Sequence, residues 1–359
     1  MYCAPMPSDV NRREFLAASA AVAAGLGLDA RALAAQTQGG ARAGAAPAPT
    51  PDPGFTTKPR KALIQRVPTE AHLNEVKAAG FDGLEAYPTA PIPPADAEKT
   101  RAIAESLGMR IHSVIFGTAQ FNNPDKAIVD KSVADVESAI RSAQAFGADV
   151  LLLVPCRVEA KTPGGAGAAT GILMPRPWEF HVEFDRRTGH VSRVVAGDNA
   201  PYADYIRAQN RAVDTSTEIM KRLIPTAEKA GVVLAIENVW NNLWVTPDYF
   251  KHFVESFQSK WVRVYYDIGN HVKFGAPEDW ILTLGSLIVK IHVKDYLLNP
   301  SDADGQGRFV NIRDGSVRWP IVRTALEQIN YNGWMTIEGG TAITVAEHSQ
   351  RLDLILAGK

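Results

Sequence analysis

The sequence predicts an α/β protein: one (β/α)8 TIM barrel with a β-hairpin inserted after strand 4. Three observations support this prediction. Strand-like and helix-like segments alternate along most of the chain, the strand-like segments are short apolar runs, and four of them end in a carboxylate or an imidazole. Short apolar runs without polar alternation are typical of strands buried on both faces of a parallel sheet. The 359 residues can hold one barrel of ~250 residues together with extra segments.

The N-terminal region has the composition of an export signal and a linker. Arg12 and Arg13 precede an apolar run rich in Ala, Gly and Leu, and small residues that suit cleavage follow. The arginine pair resembles a twin-arginine export signal, which predicts a periplasmic protein. We therefore expect a signal peptide at residues 1–35, a flexible linker rich in Gly, Ala, Pro and Thr at 36–58, and the barrel domain at 59–359.

The first half of the barrel domain contains four predicted strands separated by helices. Thr69 is a predicted helix cap, and Gly80, Gly108 and Gly147 stand where the first three helices end, as is common at helix C-termini. The four predicted strands are residues 62–67, 83–87, 110–115 and 149–154.

An insertion of about residues 157–200 follows the fourth strand. Residues 179–184 alternate strictly between polar and apolar side chains, residues 185–189 form a turn, and residues 190–195 return, which predicts a β-hairpin. Because it follows a strand of the barrel, we expect the hairpin at the mouth where such strands end.

The second half repeats the alternation. A long predicted helix at 202–230 comes first, and later helices begin near Pro247, Pro277 and Pro320, because proline is favoured in the first turn of a helix. A last helix is predicted at 344–356. The four remaining strands are residues 232–237, 262–267, 287–292 and 334–338.

Charge and hydrophobicity restrict the classes of partner. The formal net charge is −1, the pI is near 6.7, and hydrophobic residues make up 46% of the chain. Such a balance gives no electrostatic reason to bind nucleic acid. The N-terminal apolar run is short for a membrane span, so we predict no span in the mature protein. A homo-oligomer is left open.

Four side chains at the ends of the last four strands form a predicted metal site: Glu237, Asp267, His292 and Glu338. In (β/α)8 barrels the catalytic groups lie at the C-terminal ends of the strands, so four consecutive strands can direct these side chains at one ion. Three carboxylates and one imidazole suit a divalent ion such as Mn, Mg, Co, Fe or Zn.

Four motifs carry a resemblance to a known family. They are Glu237-Asn-Val-Trp-Asn241, Tyr266-Asp-Ile-Gly-Asn270, Ile291-His-Val-Lys-Asp295 and Gly333-Trp-Met-Thr-Ile-Glu338. Together they resemble the xylose isomerase-like barrel superfamily, and most closely its sugar isomerase/epimerase branch. The resemblance implies one bound metal ion, most often manganese, and a carbohydrate substrate. It also implies that Glu237 and Glu338 are metal ligands and the two acid/base carboxylates.

The chain departs from tagatose-epimerase-like relatives at two positions. Those relatives carry His three residues after the strand-six Asp, where this chain has Asn270 and then His271. They also carry a second Glu where this chain has Leu243.

Further candidates for substrate contacts surround the four predicted ligands. Glu85 and His112 bind substrate hydroxyls or serve in packing and capping. Trp240 and Trp244 offer an apolar face to a sugar ring or belong to the loop core. Lys294 contacts substrate or forms a salt bridge. The full set of predicted substrate-binding residues is Glu85, His112, Trp240, Asn270, His271, Lys294 and Arg308.

Two enzymatic functions fit this site. The first is a metal-dependent sugar isomerase or epimerase that moves a proton at a carbon next to a carbonyl through an enediolate. The alternative is a 3-keto-glycoside lyase, which shares the first proton abstraction and then expels the glycosidic oxygen. An apurinic endonuclease and a sugar-binding module without activity are weaker candidates, because the chain is nearly neutral and all four predicted ligands are present.

Overall fold

The computed structural model describes residues 54–66, 68–88, 92–163, 171–299, 307–339 and 342–359. The predicted signal peptide and most of the predicted linker lie outside these residues. The described strands are β1 (Arg60–Gln65), β2 (Gly83–Ala86), β3 (Arg110–Phe116), β4 (Val150–Leu153), β5 (Glu183–Phe184), β6 (Val191–Arg193), β7 (Val233–Glu237), β8 (Val262–Asp267), β9 (Ile288–Val293), β10 (Asp295–Leu297), β11 (Arg308–Val310) and β12 (Trp334–Ile337).

Eight of these strands are parallel and close into a barrel in the order β1, β2, β3, β4, β7, β8, β9, β12, with β12 paired to β1. The described α-helices are α1 (Glu70–Ala78), α2 (Pro94–Ser106), α3 (Lys126–Phe146), α4 (Ala203–Ala230), α5 (Pro247–Glu255), α6 (Pro277–Leu284), α7 (Trp319–Gln328) and α8 (Val345–Leu356). The predicted (β/α)8 barrel is confirmed, because each barrel strand is followed by one of these helices before the next barrel strand begins.

Local sequence signals explain where the helices begin and end. Thr69 accepts a hydrogen bond from the His72 backbone N–H and caps α1, as predicted. Helix α4 ends at Gly231, whose φ of 68° lies in the left-handed region that glycine enters without strain. Proline occupies the first turn of α5, α6 and α7.

Two hydrophobic layers surround the barrel wall. Inside the barrel, Ile115, Val150, Leu152, Ala235 and Tyr265 pack against each other. A larger cluster lies between the outer faces of the strands and the helices. Burying each large aliphatic or aromatic side chain contributes about 1.5–3 kcal/mol to folding. The rigid wall between the two layers holds the strand ends in fixed positions.

The insertion after β4 contains a short antiparallel pair, β5 and β6. The predicted strand at 179–184 is wrong over residues 179–182, because Pro177–Glu179 forms a 3-10 turn and only Glu183 and Phe184 are strand residues. Phe184 packs 4.9 Å from the ring of Tyr249 on α5, and Asn210 of α4 exchanges hydrogen bonds with the backbone of Val191. The hairpin therefore lies against α4 and α5, because those helices offer partners to its apolar side chains.

A helix that crosses a bilayer needs about 20 consecutive, predominantly apolar residues. Within the described part of the chain, no helix is long and apolar enough to cross a membrane.

Candidate metal centre

The four predicted ligands meet at one end of the barrel. Glu237 and Asp267 are the last residues of β7 and β8, His292 is the next-to-last residue of β9, and Glu338 directly follows β12. These strands are neighbours and parallel, so their C-terminal ends lie together. One ligand atom from each of the four residues lies within 4.8 Å of the others. The structure therefore brings together the set that the sequence predicts.

The imidazole of His292 is surrounded by carboxylates. Its Nδ1 atom lies 2.9 Å from Glu338 Oε2, 3.3 Å from Glu237 Oε1 and 3.9 Å from Asp267 Oδ2. Burial of the ring opposes protonation, but Glu85, Glu338 and Glu237 outweigh burial and raise the pKa of His292 well above its ordinary value. This field favours a positive charge at the centre of the cluster, which a proton or a metal ion supplies.

Glu85 holds the other side of the imidazole. Its Oε2 atom lies 2.6 Å from His292 Nε2, and its Oε1 accepts a 2.6 Å hydrogen bond from Ser113 Oγ. A carboxylate on the far nitrogen of a histidine fixes the ring orientation and strengthens the near nitrogen as a metal ligand. Glu85 is fully buried and pairs with His292 in the structure, and its contact with substrate hydroxyls stays a prediction.

Asp267 is fixed by backbone groups so that one oxygen remains available. Its Oδ1 atom accepts 2.7 Å hydrogen bonds from the N–H groups of Gly269 and Asn270. Asn238 exchanges two further hydrogen bonds with the backbone of Asp267. Gly269 must lack a side chain, because a Cβ there would lie 2.8 Å from the backbone of Lys294. This network directs Oδ2 toward the other ligands.

The cluster fits a divalent cation. Among the described residues, the buried atoms Asp267 Oδ2 and Glu338 Oε2 have no hydrogen-bond partner of normal geometry. Burial raises the pKa of the Asp267 carboxyl to about 7, although Lys294 opposes the shift. In the described part of the chain, three carboxylates outnumber the one ammonium group beside them, that of Lys294, which pairs with two of them, and buried carboxylates are costly unless cations neutralise them. Three carboxylates and one imidazole form a donor set that Mn²⁺ and Mg²⁺ accept.

Lys294 supplies a fixed positive charge beside the ligands. Its Nζ atom lies 2.9 Å from Glu338 Oε2, 3.3 Å from Asp267 Oδ2 and 3.3 Å from Asn270 Oδ1. Burial opposes this charge, but Asp267 and Glu338 outweigh it and raise the pKa of Lys294. Burial also opposes ionisation of Glu338, but His292 and Lys294 together lower its pKa. Glu338 is therefore a carboxylate at neutral pH.

Of the two residues predicted after Asp267, one lies in the cluster and one does not. The side-chain amide of Asn270 donates to Glu237 Oε1 at 3.3 Å, so Asn270 contacts a ligand directly. His271 instead packs against Phe274 and Trp280 in the core. Burial lowers its pKa to about 3, which keeps the ring neutral. Its Nε2 atom lies 3.4 Å from the backbone oxygen of Val239, and the substrate contact at His271 stays a prediction.

His112 also lies in the barrel interior. Its ring stacks on Trp334 at 4.4 Å, its Nε2 atom lies 3.0 Å from Thr336 Oγ1, and it is fully buried. Burial lowers its pKa well below the ordinary value, with the nearby charge of Lys290 acting in the same direction. The packing interpretation of His112 is therefore the one that the contacts support.

The two tryptophans after β7 have different environments. Trp240 is half-buried, its indole N–H donates to the backbone oxygen of Asn270, and Lys273 Nζ lies 3.6 Å from the centre of its ring. Trp244 is buried and stacks 4.3 Å from Phe253, so it belongs to the core and not to a sugar-binding face. Arg308, which the sequence predicts to bind substrate, is exposed on β11.

The fold and site define a (β/α)8 barrel with an acidic cluster, which could hold a metal ion, at the C-terminal ends of its strands. A family model described as xylose isomerase-like TIM barrel matches residues 73–353. The chain belongs to this family.

Solved structures with the same fold include several sugar epimerases. A D-tagatose 3-epimerase-like protein superimposes with a TM-score of 0.58 at 16% identity, over 82% of this chain and 98% of that chain. The 3-keto-D-glucoside 4-epimerase from E. coli gives 0.57 at 12% identity, over 83% and 99%. A xylose isomerase-like protein from Mycobacterium smegmatis, solved with magnesium, gives 0.56 at 19% identity, over 84% and 96%. At these identities the likeness is one of fold.

A curated relative matches only part of the chain. It is an uncharacterised protein of Methanocaldococcus jannaschii, 26% identical over 130 residues. The match covers 35% of this chain and 43% of that protein, so the chain spans less than half the length of this curated relative.

Proposed function

We propose that the protein is a divalent-metal-dependent sugar isomerase or epimerase that transfers a proton at a carbon next to a carbonyl. The observation that carries this proposal is the arrangement of two carboxylates. Glu237 and Glu338 stand on β7 and β12, the two ends of an arc of four strands, and both approach the same nitrogen of His292. A substrate held between them has one carboxylate on each side.

The proposed reaction begins with proton removal. One carboxylate takes the proton from the carbon next to the carbonyl, and the C–H electron pair forms the double bond of an enediolate while the carbonyl oxygen gains negative charge. The other carboxyl group, which enters the step protonated, gives up its proton, so the two groups exchange protonation states. Return to the opposite face of the same carbon inverts it. Return to the former carbonyl carbon isomerises the sugar, and the proton of the neighbouring hydroxyl then moves to the former carbonyl oxygen.

The residues of the chain prepare the two carboxylates for this task. Lys294 and His292 keep Glu338 ionised, and Asn270 donates a hydrogen bond to Glu237. A divalent ion held by Glu237, Asp267, His292 and Glu338, with manganese our first choice, would supply positive charge that stabilises the enediolate oxygens.

Deuterium exchange tests the proposal. The protein is incubated with Mn²⁺ and a panel of ketoses and 3-keto-glycosides in deuterated water, and deuterium at the carbon next to the carbonyl is measured by NMR. We expect Glu237→Gln and Glu338→Gln each to lower the exchange rate by roughly 10²–10⁴-fold, because each removes one acid/base group. Glu218→Gln, on the exposed face of α4, is the matched control. Full activity in both site variants would refute the mechanism.

A 3-keto-glycoside lyase is the second candidate. The fold is shared with a protein named as a 3-keto-D-glucoside 4-epimerase, which makes a keto-glycoside a reasonable substrate to test. After the same proton abstraction, the glycosidic C–O bond would break, and the aglycone would leave with its electron pair and take a proton from the second carboxyl group. Released aglycone identifies the lyase, whereas exchange without release identifies the epimerase.

The twin-arginine resemblance leads to a proposal about location. We propose that Arg12 and Arg13 direct export to the periplasm, where sugar phosphates are scarce and unphosphorylated sugars or glycosides are the available substrates. Replacing both arginines by lysine should leave the precursor in the cytoplasmic fraction. Periplasmic recovery equal to that of the unchanged protein would rule the proposal out.

A further inference from the structure

Phe309 is a large apolar ring beside the metal centre that keeps an open surface. It stands on β11, its side chain is 41% exposed, and its ring centre lies 4.8 Å from Lys294 Nζ. The same ammonium group is 2.9 Å from Glu338 Oε2. One side chain thus touches both the exposed ring and the carboxylate that we propose as a proton carrier.

Two other aromatic rings pack against Phe309. The indole of Trp240 lies 4.8 Å away at an angle of 33°, and the phenol of Tyr296 lies 5.2 Å away, edge to face. Tyr296 is fully buried and Trp240 is half-buried, so Phe309 is the outermost ring of the group. We call Phe309, Trp240 and Tyr296 the aromatic platform.

The hairpin of β10 and β11 fixes the platform in place. Tyr296 and Phe309 are directly opposite each other in the antiparallel pair. Gly307 donates a 2.6 Å hydrogen bond to the Tyr296 hydroxyl, and a Cβ at Gly307 would lie 1.8 Å from Leu297 O, so only glycine fits. The position of the Phe309 ring is therefore determined by pairing and close packing.

The chemistry of phenylalanine limits what this surface can recognise. The ring has no hydrogen-bonding atom, so it contributes nothing to the recognition of sugar hydroxyls. It offers a flat apolar surface, which stacks on another ring that presents an apolar face. The reacting part of the substrate is expected between Glu237 and Glu338, and Phe309 borders that place on the Lys294 side.

We propose that the aromatic platform binds a second ring, one that is linked to the reacting sugar through a glycosidic oxygen. The substrate is accordingly a ring-bearing glycoside of a keto sugar and not a free monosaccharide. This inference rests on the proposed function, since it takes the site between Glu237 and Glu338 as the place of reaction. The second ring is an aromatic aglycone or another sugar, because both have an apolar face.

Binding of non-reacting glucosides tests the platform without requiring turnover. Methyl β-D-glucoside, phenyl β-D-glucoside and methyl β-D-cellobioside are titrated into the full-length protein with Mn²⁺ and followed by NMR or calorimetry. We expect the phenyl or the cellobioside ligand to bind about threefold to tenfold more tightly than the methyl glucoside, the range that ring stacking supports. Which of the two gains affinity identifies the kind of second ring.

Variants assign the gain to Phe309. Phe309→Leu removes the ring and keeps an apolar side chain. In this variant, the ratio of the Kd of methyl glucoside to the Kd of the ring-bearing glucoside should fall to near one. Phe309→Tyr keeps an aromatic ring and should therefore keep the preference for the ring-bearing glucosides. That result would also show that the hairpin tolerates a substitution at this position. The matched control is Leu298→Ala, because Leu298 is another exposed apolar residue near the same hairpin, 37% exposed. This variant should keep the preference for the ring-bearing glucosides.

Three results would overturn the proposal. The first is equal or undetectable binding of all three glucosides to the unchanged protein. The second is a preference for the ring-bearing glucosides that survives in Phe309→Leu. The third is an equal loss of affinity for all three glucosides in Phe309→Leu. The last result would mean that the ring only positions Lys294. Failure of the proposed function is distinguishable, because it appears as absent deuterium exchange at the reacting carbon while the binding preference persists.

Discussion

At the scale of single residues, Glu85 and His292 form a contact at the candidate metal centre that only the folded barrel brings about. The two residues are 207 positions apart in the chain and meet at 2.6 Å inside the barrel. The sequence identifies His292 as a candidate ligand because it stands at the end of a predicted strand. It could not identify Glu85 as its partner, because that contact depends on how β2 and β9 face each other across the barrel.

Replacing Glu85 tests this pairing. We expect Glu85→Gln to weaken Mn²⁺ binding by ~10-fold or more, because loss of the partner on the far nitrogen reduces the basicity and fixed orientation of a histidine ligand. Calorimetric titration of the metal-free protein measures the change. Glu278→Gln is the control, since Glu278 is also a buried carboxylate but pairs with Arg318. Equal metal affinity in Glu85→Gln and the unchanged protein would contradict the assignment.

At the scale of elements, the loop after β7 places two tryptophans in different environments that local sequence patterns do not predict. From the sequence alone, Trp240 and Trp244 have the same interpretation, because both are aromatic residues that follow Glu237. Asn242 and Trp244 have positive φ angles of 63° and 49°, a region that residues other than glycine rarely enter. This backbone path turns Trp244 into the core against Phe253 and leaves Trp240 near the mouth. Tertiary packing stabilises the path, so no local pattern reveals it.

The loop that follows β11 depends on another single residue, Asp295. Its buried carboxylate accepts hydrogen bonds at 2.8–3.2 Å from four backbone N–H groups and from the indole N–H of Trp319. Gly315 must lack a side chain here, since a Cβ would lie 2.1 Å from Asp295 Oδ1. The Asp295 carboxylate therefore stabilises the conformation of the loop between β11 and α7.

We expect Asp295→Asn to lower the free energy of unfolding by about 2–3 kcal/mol. An amide has one acceptor oxygen, and its NH2 group would face donors that are left buried without a partner. Urea denaturation measures the change, with Asp204→Asn as an exposed control on α4. If Asp295→Asn is as stable as that control, the carboxylate does not hold the loop.

At the scale of the whole molecule, the sequence predicted the barrel and the convergence of its ligands but not the registers of its strands. The first strand was expected at 62–67 and lies at Arg60–Gln65, because Arg60 pairs with Trp334 of β12 at the far end of the chain. Apolar runs identify buried strands wherever they occur. Their ends depend on pairing with strands that are distant in sequence.

Because the four candidate ligands lie on neighbouring strands, a metal ion bound between them would stabilise the whole barrel. A ligand that binds only the folded state stabilises it by about 2.7 kcal/mol at a concentration of 100 times Kd. Saturating Mn²⁺ should therefore raise the Tm of the metal-free protein, and EDTA should reverse the increase. Asp267→Asn should abolish the increase, because it removes a charged ligand whose free oxygen lies in the cluster.

A matched variant at the opposite end of the barrel separates metal binding from general destabilisation. Asp149 directly precedes β4 and pairs at 2.8 Å with Lys290, which is almost completely buried. Asp149→Asn should lower the Tm of the metal-free protein, because it leaves that buried ammonium group without its carboxylate partner. Its increase with Mn²⁺ should nevertheless equal that of the unchanged protein, since the ligand cluster at the C-terminal strand ends is intact. An increase that persists in Asp267→Asn, or that disappears in Asp149→Asn, would show that the ion binds elsewhere than between β7, β8, β9 and β12.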